Sequence, residues 1–140
     1  MSRTILIADD DEDVRNSHKL ALREAAKLLK EECRAIETEN SVETRAKIQG
    51  EQFDLILLDN EFKDSRVKGH LPGIALLQLA RKEGANVTTP VIFCSAESFA
   101  SLKPMVERFG GVFFPKATYD IDEVARLFAE QILKPREPAP

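Results

Sequence analysis

At 140 residues, with 43% apolar and 31% charged side chains, the chain has the composition of one globular domain and not of a disordered, collagen-like or coiled-coil protein. Its net charge of −4 argues against the domain itself gripping a nucleic-acid backbone, which needs a basic face. The apolar run Ile5–Ala8 is too short for a signal peptide, and no run approaches the length of a membrane span; a cytoplasmic protein is expected, with Cys33 and Cys94 as reduced, buried thiols.

Taken in chain order, short apolar runs alternate with longer amphipathic ones. Thr4 to Ala8 reads as a buried strand that stops at Asp9. From about Asp13 to Glu32, apolar residues at helical spacing predict a long helix, capped by Asp11 or Asp13. Cys33 to Glu37 is a half-polar strand suited to a sheet edge. Ser41 opens and caps a short second helix, which Gly50 stops.

Phe53 to Leu58 is the clearest buried strand, closed by Asp59. Ile74 to Lys82 is a third helix with Gly84 beyond its end, and Pro90 to Cys94 a fourth strand. Phe99 to Phe109 is a fourth helix, where Pro104 demands a bend or a late start. Val112 to Phe114 is a fifth strand, and Asp120 caps a last helix with Ile121, Val124, Leu127, Phe128 and Ile132 on its inner face. The domain is expected to run over 1–134. The proline-rich residues 135–140 are expected to be a disordered tail or the start of a linker.

Strict strand–helix alternation predicts an α/β fold with a parallel sheet and helices on both faces. Ligands in such folds bind beyond the carboxyl ends of the strands, where the strand order reverses. Asp9 and Asp10 come after strand one, Asp59 after strand three, Ser95 after strand four and Lys116 after strand five. A single acid after a strand is most often a solvated turn or a helix cap. Three carboxylates, a hydroxyl and an amine gathered at one edge are poorly explained that way.

Carboxylates so gathered repel by roughly 1–4 kcal/mol per close pair. They either raise a pKa or hold a cation. Mg²⁺ suits them, since it takes oxygen ligands, one or two of them protein carboxylates, and keeps water or substrate oxygens for the rest. A hydroxyl and an ammonium alongside supply donors for a phosphoryl group. An aspartate is itself a nucleophile that forms acyl phosphates.

These residues resemble the receiver domains of two-component response regulators. The likeness is carried by Ile-Leu-Ile-Ala-Asp-Asp at 5–10, Phe-Asp-Leu-Ile-Leu-Leu-Asp at 53–59, Gly-Ile-Ala-Leu-Leu at 73–77, Pro-Val-Ile-Phe-Cys-Ser-Ala at 90–96, and Lys116. It spans about residues 3–133. Each motif is weak alone, but their order and spacing together are specific.

The resemblance implies a flavodoxin-like, doubly wound five-stranded sheet of order 2-1-3-4-5. It implies that Asp59 accepts a phosphoryl group from a histidine kinase or histidine phosphotransfer protein. Asp10 and Asp59 would bind Mg²⁺, with Asp9 assisting and the Glu61 backbone carbonyl completing the protein ligands. Ser95 would bond the phosphoryl oxygens and Lys116 neutralise them. Phe113 would be the switch aromatic, although it also reads as a plain core residue, and the small Ala96 would leave the site open to a phosphodonor. Such a domain is a switch and not a turnover enzyme, and signals to a downstream protein or output domain, without direct nucleic-acid or membrane contact.

Two features depart from the family pattern. Gly73 lies fourteen residues after Asp59 where the family has eight, so residues 60–72 form an enlarged loop with Lys63, Arg66, Lys68 and His70 beside the site. Proline also precedes Lys116, as Pro115, where the family places it after the lysine in a cis bond. Either Lys116–Ala117 is cis, at about 2.5–4 kcal/mol, or the loop takes another path. His18 reads as a solvated or half-buried helix residue without a metal-ligand companion. Two other functions fit parts of the pattern. One is a receiver-like binding module that signals without phosphorylation. The other is a Mg²⁺ phosphohydrolase, which would use Glu61, two residues after Asp59, as its proton shuttle but shows no substrate cap.

Overall fold

Apolar runs become parallel strands here because both of their faces are covered. In the computed structural model, which describes residues 2–62, 66–96 and 101–136, the strands are β1 (Ser2–Ala8), β2 (Glu32–Thr38), β3 (Leu55–Leu58), β4 (Val91–Ser95) and β5 (Val112–Pro115). They alternate with α1 (Glu12–Leu29), α2 (Ser41–Gly50), α3 (Gly73–Lys82), α4 (Lys103–Arg108) and α5 (Ile121–Leu133). All pairs are parallel and the order is β2-β1-β3-β4-β5, the doubly wound order expected. No helix among the described residues is long and apolar enough to cross a membrane.

Alternate strand residues feed two apolar layers. Leu6, Ile56, Leu58, Val91 and Phe93 pack against α2, α3 and α4 through Ile48, Leu76, Leu77, Ala80 and Val106. Ile5, Ile7, Leu55, Leu57 and Ile92 pack against α1 and α5 through Ala21, Leu22, Ala25, Val124 and Phe128.

Several local expectations change. Asp11 caps α1 and Asp120 caps α5, but α2 is capped by Asn40, whose side chain accepts from the Glu43 N–H. Ser41 is instead the first residue of α2 and is fully buried, its hydroxyl 2.9 Å from His70 Nδ1. Phe53 is buried but precedes β3, because its N–H is taken by the Asn86 side chain and not by the ladder. α4 starts late, with Pro104 in its first turn, where a missing N–H costs nothing. The earlier part of that predicted helix, residues 97–100, lies outside the described residues.

Cys94 is a buried free thiol that burial pushes up to about 12, whereas Cys33 is only half-buried. His18 is not solvated at all: it is 2% exposed, beneath Tyr119 and Phe128. Of the tail, residues 137–140 lie outside the described residues. Arg136 is turned back onto the sheet, where it bonds the Phe53 carbonyl and Asp54.

Candidate phospho-acceptor site

The carboxyl ends of β1 and β3 place the acids side by side. The ladder runs on past both strands, with the Asp9 N–H donating to the Thr38 carbonyl and the Asp59 N–H to the Ala8 carbonyl, each at 3.2 Å. Asp9, Asp10 and Asp59 thereby offer ligand oxygens that all lie within 4.8 Å of one another. Asp9 and Asp59 are buried and Asp10 is half-buried.

Lys116 stands across them. Its Nζ lies 3.0 Å from Asp9 Oδ2 and 3.0 Å from Asp59 Oδ2, so one ammonium spans both buried carboxylates. Burial raises the Asp9 carboxyl to about 6, with the charge of Asp59 adding and the Asp11 N–H and Lys116 opposing. Asp59 is raised too, chiefly by burial, against the pull of Lys116, the Asn60 N–H and Ser95. Burial works to lower the Lys116 ammonium, but Asp59 and Asp9 outweigh it and raise the group above its usual range.

Ser95 ends β4 completely buried. Its hydroxyl draws Asp59 down, yet its oxygen has no hydrogen-bond partner of good geometry among the described residues. A buried hydroxyl is rarely left so. Phe113 of β5 already faces inward, 9% exposed and stacked on Phe93 with ring centroids 6.1 Å apart. Ala96 is exposed, and so is Glu61. Five expected side chains thus converge: Asp9, Asp10, Asp59, Ser95 and Lys116.

Other residues hold the site, and none of them was assigned a role in it from the sequence. Asn60 donates its N–H to Asp59 Oδ1 at 2.8 Å, while its own side chain accepts from the Ile74 N–H and its carbonyl from the Gly73 N–H. Asn60 therefore caps α3 from across the enlarged loop and ties that helix to Asp59. Gly73 is required by close approach, since a Cβ there would lie 1.9 Å from the Asp59 carbonyl oxygen. Arg15 of α1 donates to the Asp9 carbonyl at 2.8 Å, and the Asp11 N–H donates to Asp9 Oδ1. An arginine one turn into a helix gives no sequence signal of such a role.

The enlarged loop is pinned near both ends. Phe62 is 2% exposed in the core beneath α3, and Leu71 packs against the same layer. Residues 63–65 lie outside the described residues, while Arg66, Val67 and Lys68 are exposed. No peptide bond among the described residues is cis, so the chain takes the other path at Lys116: Lys116–Thr118 turn as a short 3₁₀ helix.

The donor set suits Mg²⁺. Three close carboxylates with hard oxygens, an exposed flank for water and an unpartnered hydroxyl alongside fit that ion and a phosphoryl group.

Comparison with known proteins gives the same direction. No curated protein matches the sequence. Among solved structures, a receiver domain of a Francisella response regulator superposes with a TM-score of 0.72 at 24% identity, covering 93% of this chain and 96% of that one. A CheY-like receiver protein from Methanospirillum hungatei gives 0.72 at 22% identity, with 94% of each chain covered. The receiver domain of the Pseudomonas aeruginosa sensor histidine kinase PA1611, which has a magnesium ion coordinated in its active-site cleft, gives 0.73 at 16% identity over 94% of this chain and 98% of that one. At these identities the likeness is one of fold. The sequence itself matches the response regulator receiver domain over residues 5–112. With that match covering most of the chain, the protein belongs to the response regulator receiver family.

Proposed function

We propose that this receiver, acting in the cytoplasm, accepts a phosphoryl group on Asp59 from the phosphohistidine of a histidine kinase or phosphotransfer protein, with Mg²⁺ held by Asp10, Asp59, the Glu61 carbonyl and, through water, Asp9. The observation that carries this reading is the ammonium of Lys116 spanning two buried carboxylates that have a third carboxylate beside them. When bound, Mg²⁺ neutralises charge that builds on the phosphoryl oxygens.

The remaining roles fall to side chains. An Asp59 oxygen attacks phosphorus; the P–N bond to the donor imidazole breaks as the P–O bond forms, and the imidazole leaves neutral or takes a proton from water. Lys116 exchanges one carboxylate partner for the new phosphoryl oxygens. Ser95, whose hydroxyl has no well-formed hydrogen bond among the described residues, gains a partner there, and that hydrogen bond is the local event that biases the domain's two-state equilibrium. Because Phe113 is already inward, phosphorylation acts by fixing it in place through Ser95. The signal passes by protein contact to a downstream protein or output domain.

The enlarged loop sets phosphodonor access. Its support is position, since Asn60 touches Asp59 and Phe62 is buried in the core two residues further on. Deleting residues 63–68 should change the rate or the preference among donors, and an unchanged profile would remove this role.

Acetyl phosphate tests the main reading. With Mg²⁺, intact mass should show one added phosphoryl group, which chelation or Asp59→Asn abolishes. A chain that takes no phosphoryl group under those conditions would be a binding module signalling by constitutive contacts. Rapid turnover of small phosphate esters would make it a phosphohydrolase.

A further inference from the structure

Lys116 must be held rigidly to span two carboxylates, yet the turn that carries it is thinly supported. The 3₁₀ turn has only three residues. Its closing bonds, from the Tyr119 N–H to the Lys116 carbonyl and from the Thr118 hydroxyl to the Pro115 carbonyl, are both long at 3.3 Å. Ala117, not a proline, directly follows the lysine, so no ring stiffens the chain there.

Tyr119 stands at the end of the turn instead. Its ring meets Phe114 edge-on at 6.1 Å and lies 5.4 Å from the His18 ring. Its hydroxyl is 2.8 Å from His18 Nδ1, joining residues 101 positions apart in sequence. His18 lies on α1, the helix that begins directly after Asp9 and Asp10. Burial lowers the His18 imidazole to about 3, with the nearby Lys116 charge adding, and burial keeps the Tyr119 phenol protonated. The pair is therefore neutral, with His18 buried and Tyr119 half-buried, and their hydrogen bond is largely shielded from water and directional.

We propose that Tyr119 is a positioning residue: its hydrogen bond to His18 anchors the Lys116 turn to the helix behind Asp9 and Asp10, and so holds Nζ between Asp9 and Asp59. The consequence for phosphoryl transfer rests on Asp59 being the acceptor; the placement of Lys116 does not, and can be read without any phosphodonor. An ammonium lodged between the carboxylates competes with a divalent cation for them. Loosening it should strengthen Mg²⁺ binding.

The experiment is a Mg²⁺ titration by calorimetry, at fixed pH and salt, of four proteins: wild type, Tyr119→Phe, Lys116→Ala and the double variant. Tyr119→Phe should tighten Mg²⁺ binding about threefold or more in the wild-type background and change nothing when Lys116 is already absent. His18→Leu/Tyr119→Phe, which removes both polar partners, should melt near wild type and bind Mg²⁺ as tightly as Tyr119→Phe. Unchanged affinity in Tyr119→Phe, or an equal change with and without Lys116, would overturn the proposal and leave the pair as ordinary core. The acetyl phosphate reaction is then run on the wild type and Tyr119→Phe. A rate lowered about tenfold or more supports the catalytic consequence. A wild type that binds Mg²⁺ but takes no phosphoryl group would refute the acceptor reading alone.

Discussion

Burial disfavours whichever form of a group carries charge, so Asp9 and His18 titrate in opposite senses. The folded His18 imidazole is lowered to about 3, and the unfolded chain thus binds a proton there first as pH falls. Its contribution to stability is complete above about 6.5 and is lost on acidification toward 3, at up to about 1.4 kcal/mol per pH unit. The Asp9 carboxyl, raised to about 6, opposes this: the folded form binds its proton more tightly, and stability is lost as pH rises from about 4 through 6. Melts of the chelated protein between pH 4 and 7 should therefore show a shallow net slope. In His18→Leu the histidine's part vanishes, so its stability should fall less on acidification than that of the wild type. Lys116→Ala leaves two buried carboxylates unscreened, which should cost about 1–3 kcal/mol in chelator, given the partial exposure of the lysine. Mg²⁺ should recover more stability in that variant than in the wild type, as read by thermal melts with and without the ion. The acids, Ser95 and Lys116 were legible in the sequence because each closes an apolar run. The burial of His18 was not, because its partner Tyr119 comes from the far end of the chain.

Between elements, the join that matters most is between the end of β3 and the start of α3. Gly73→Ala would set a methyl group 1.9 Å from the Asp59 carbonyl oxygen, so helix or strand end must move. A cost of about 1–3 kcal/mol, with slowed phosphorylation, is expected in urea melts and acetyl phosphate assays. Gly50→Ala is the control, since nothing lies within 4 Å of a Cβ there and a helix end gains from alanine. Phe62→Ala should cost about 3–5 kcal/mol by the same melts, as expected for an aromatic removed from a closed core. The sequence placed Gly73 in a family motif without a reason, and the reason is this contact. It read residues 60–72 as one loop and so missed Phe62, because a single aromatic among charged residues has no periodicity to announce it. The helix caps were half legible. Asp11 and Asp120 cap locally, while α3 takes its cap from Asn60, whose distance in sequence hides the role.

At the scale of the molecule, alternation of apolar runs was enough for a parallel sheet between two helical layers, while the strand order followed from the family resemblance. What it could not convey are the polar ties that fix the layers. Arg81 bonds the carbonyls of Phe109, Asn86 and Thr89, and the buried Asn86 side chain bonds Ile48, Glu51 and Phe53. Each joins segments far apart, through side chains that look solvated in a linear reading. The same frame brings the acids at the ends of β1 and β3 to one edge, and the proposed function makes the acid on β3 the one that reacts. Borohydride reduces an aspartyl phosphate to homoserine and leaves ordinary carboxylates intact. The protein should be treated with acetyl phosphate and Mg²⁺, reduced, and sequenced by peptide mass spectrometry. Homoserine at position 59 alone, and only when Mg²⁺ was present, is the predicted result. Homoserine at position 9 or 10, or at none of the three, would contradict it.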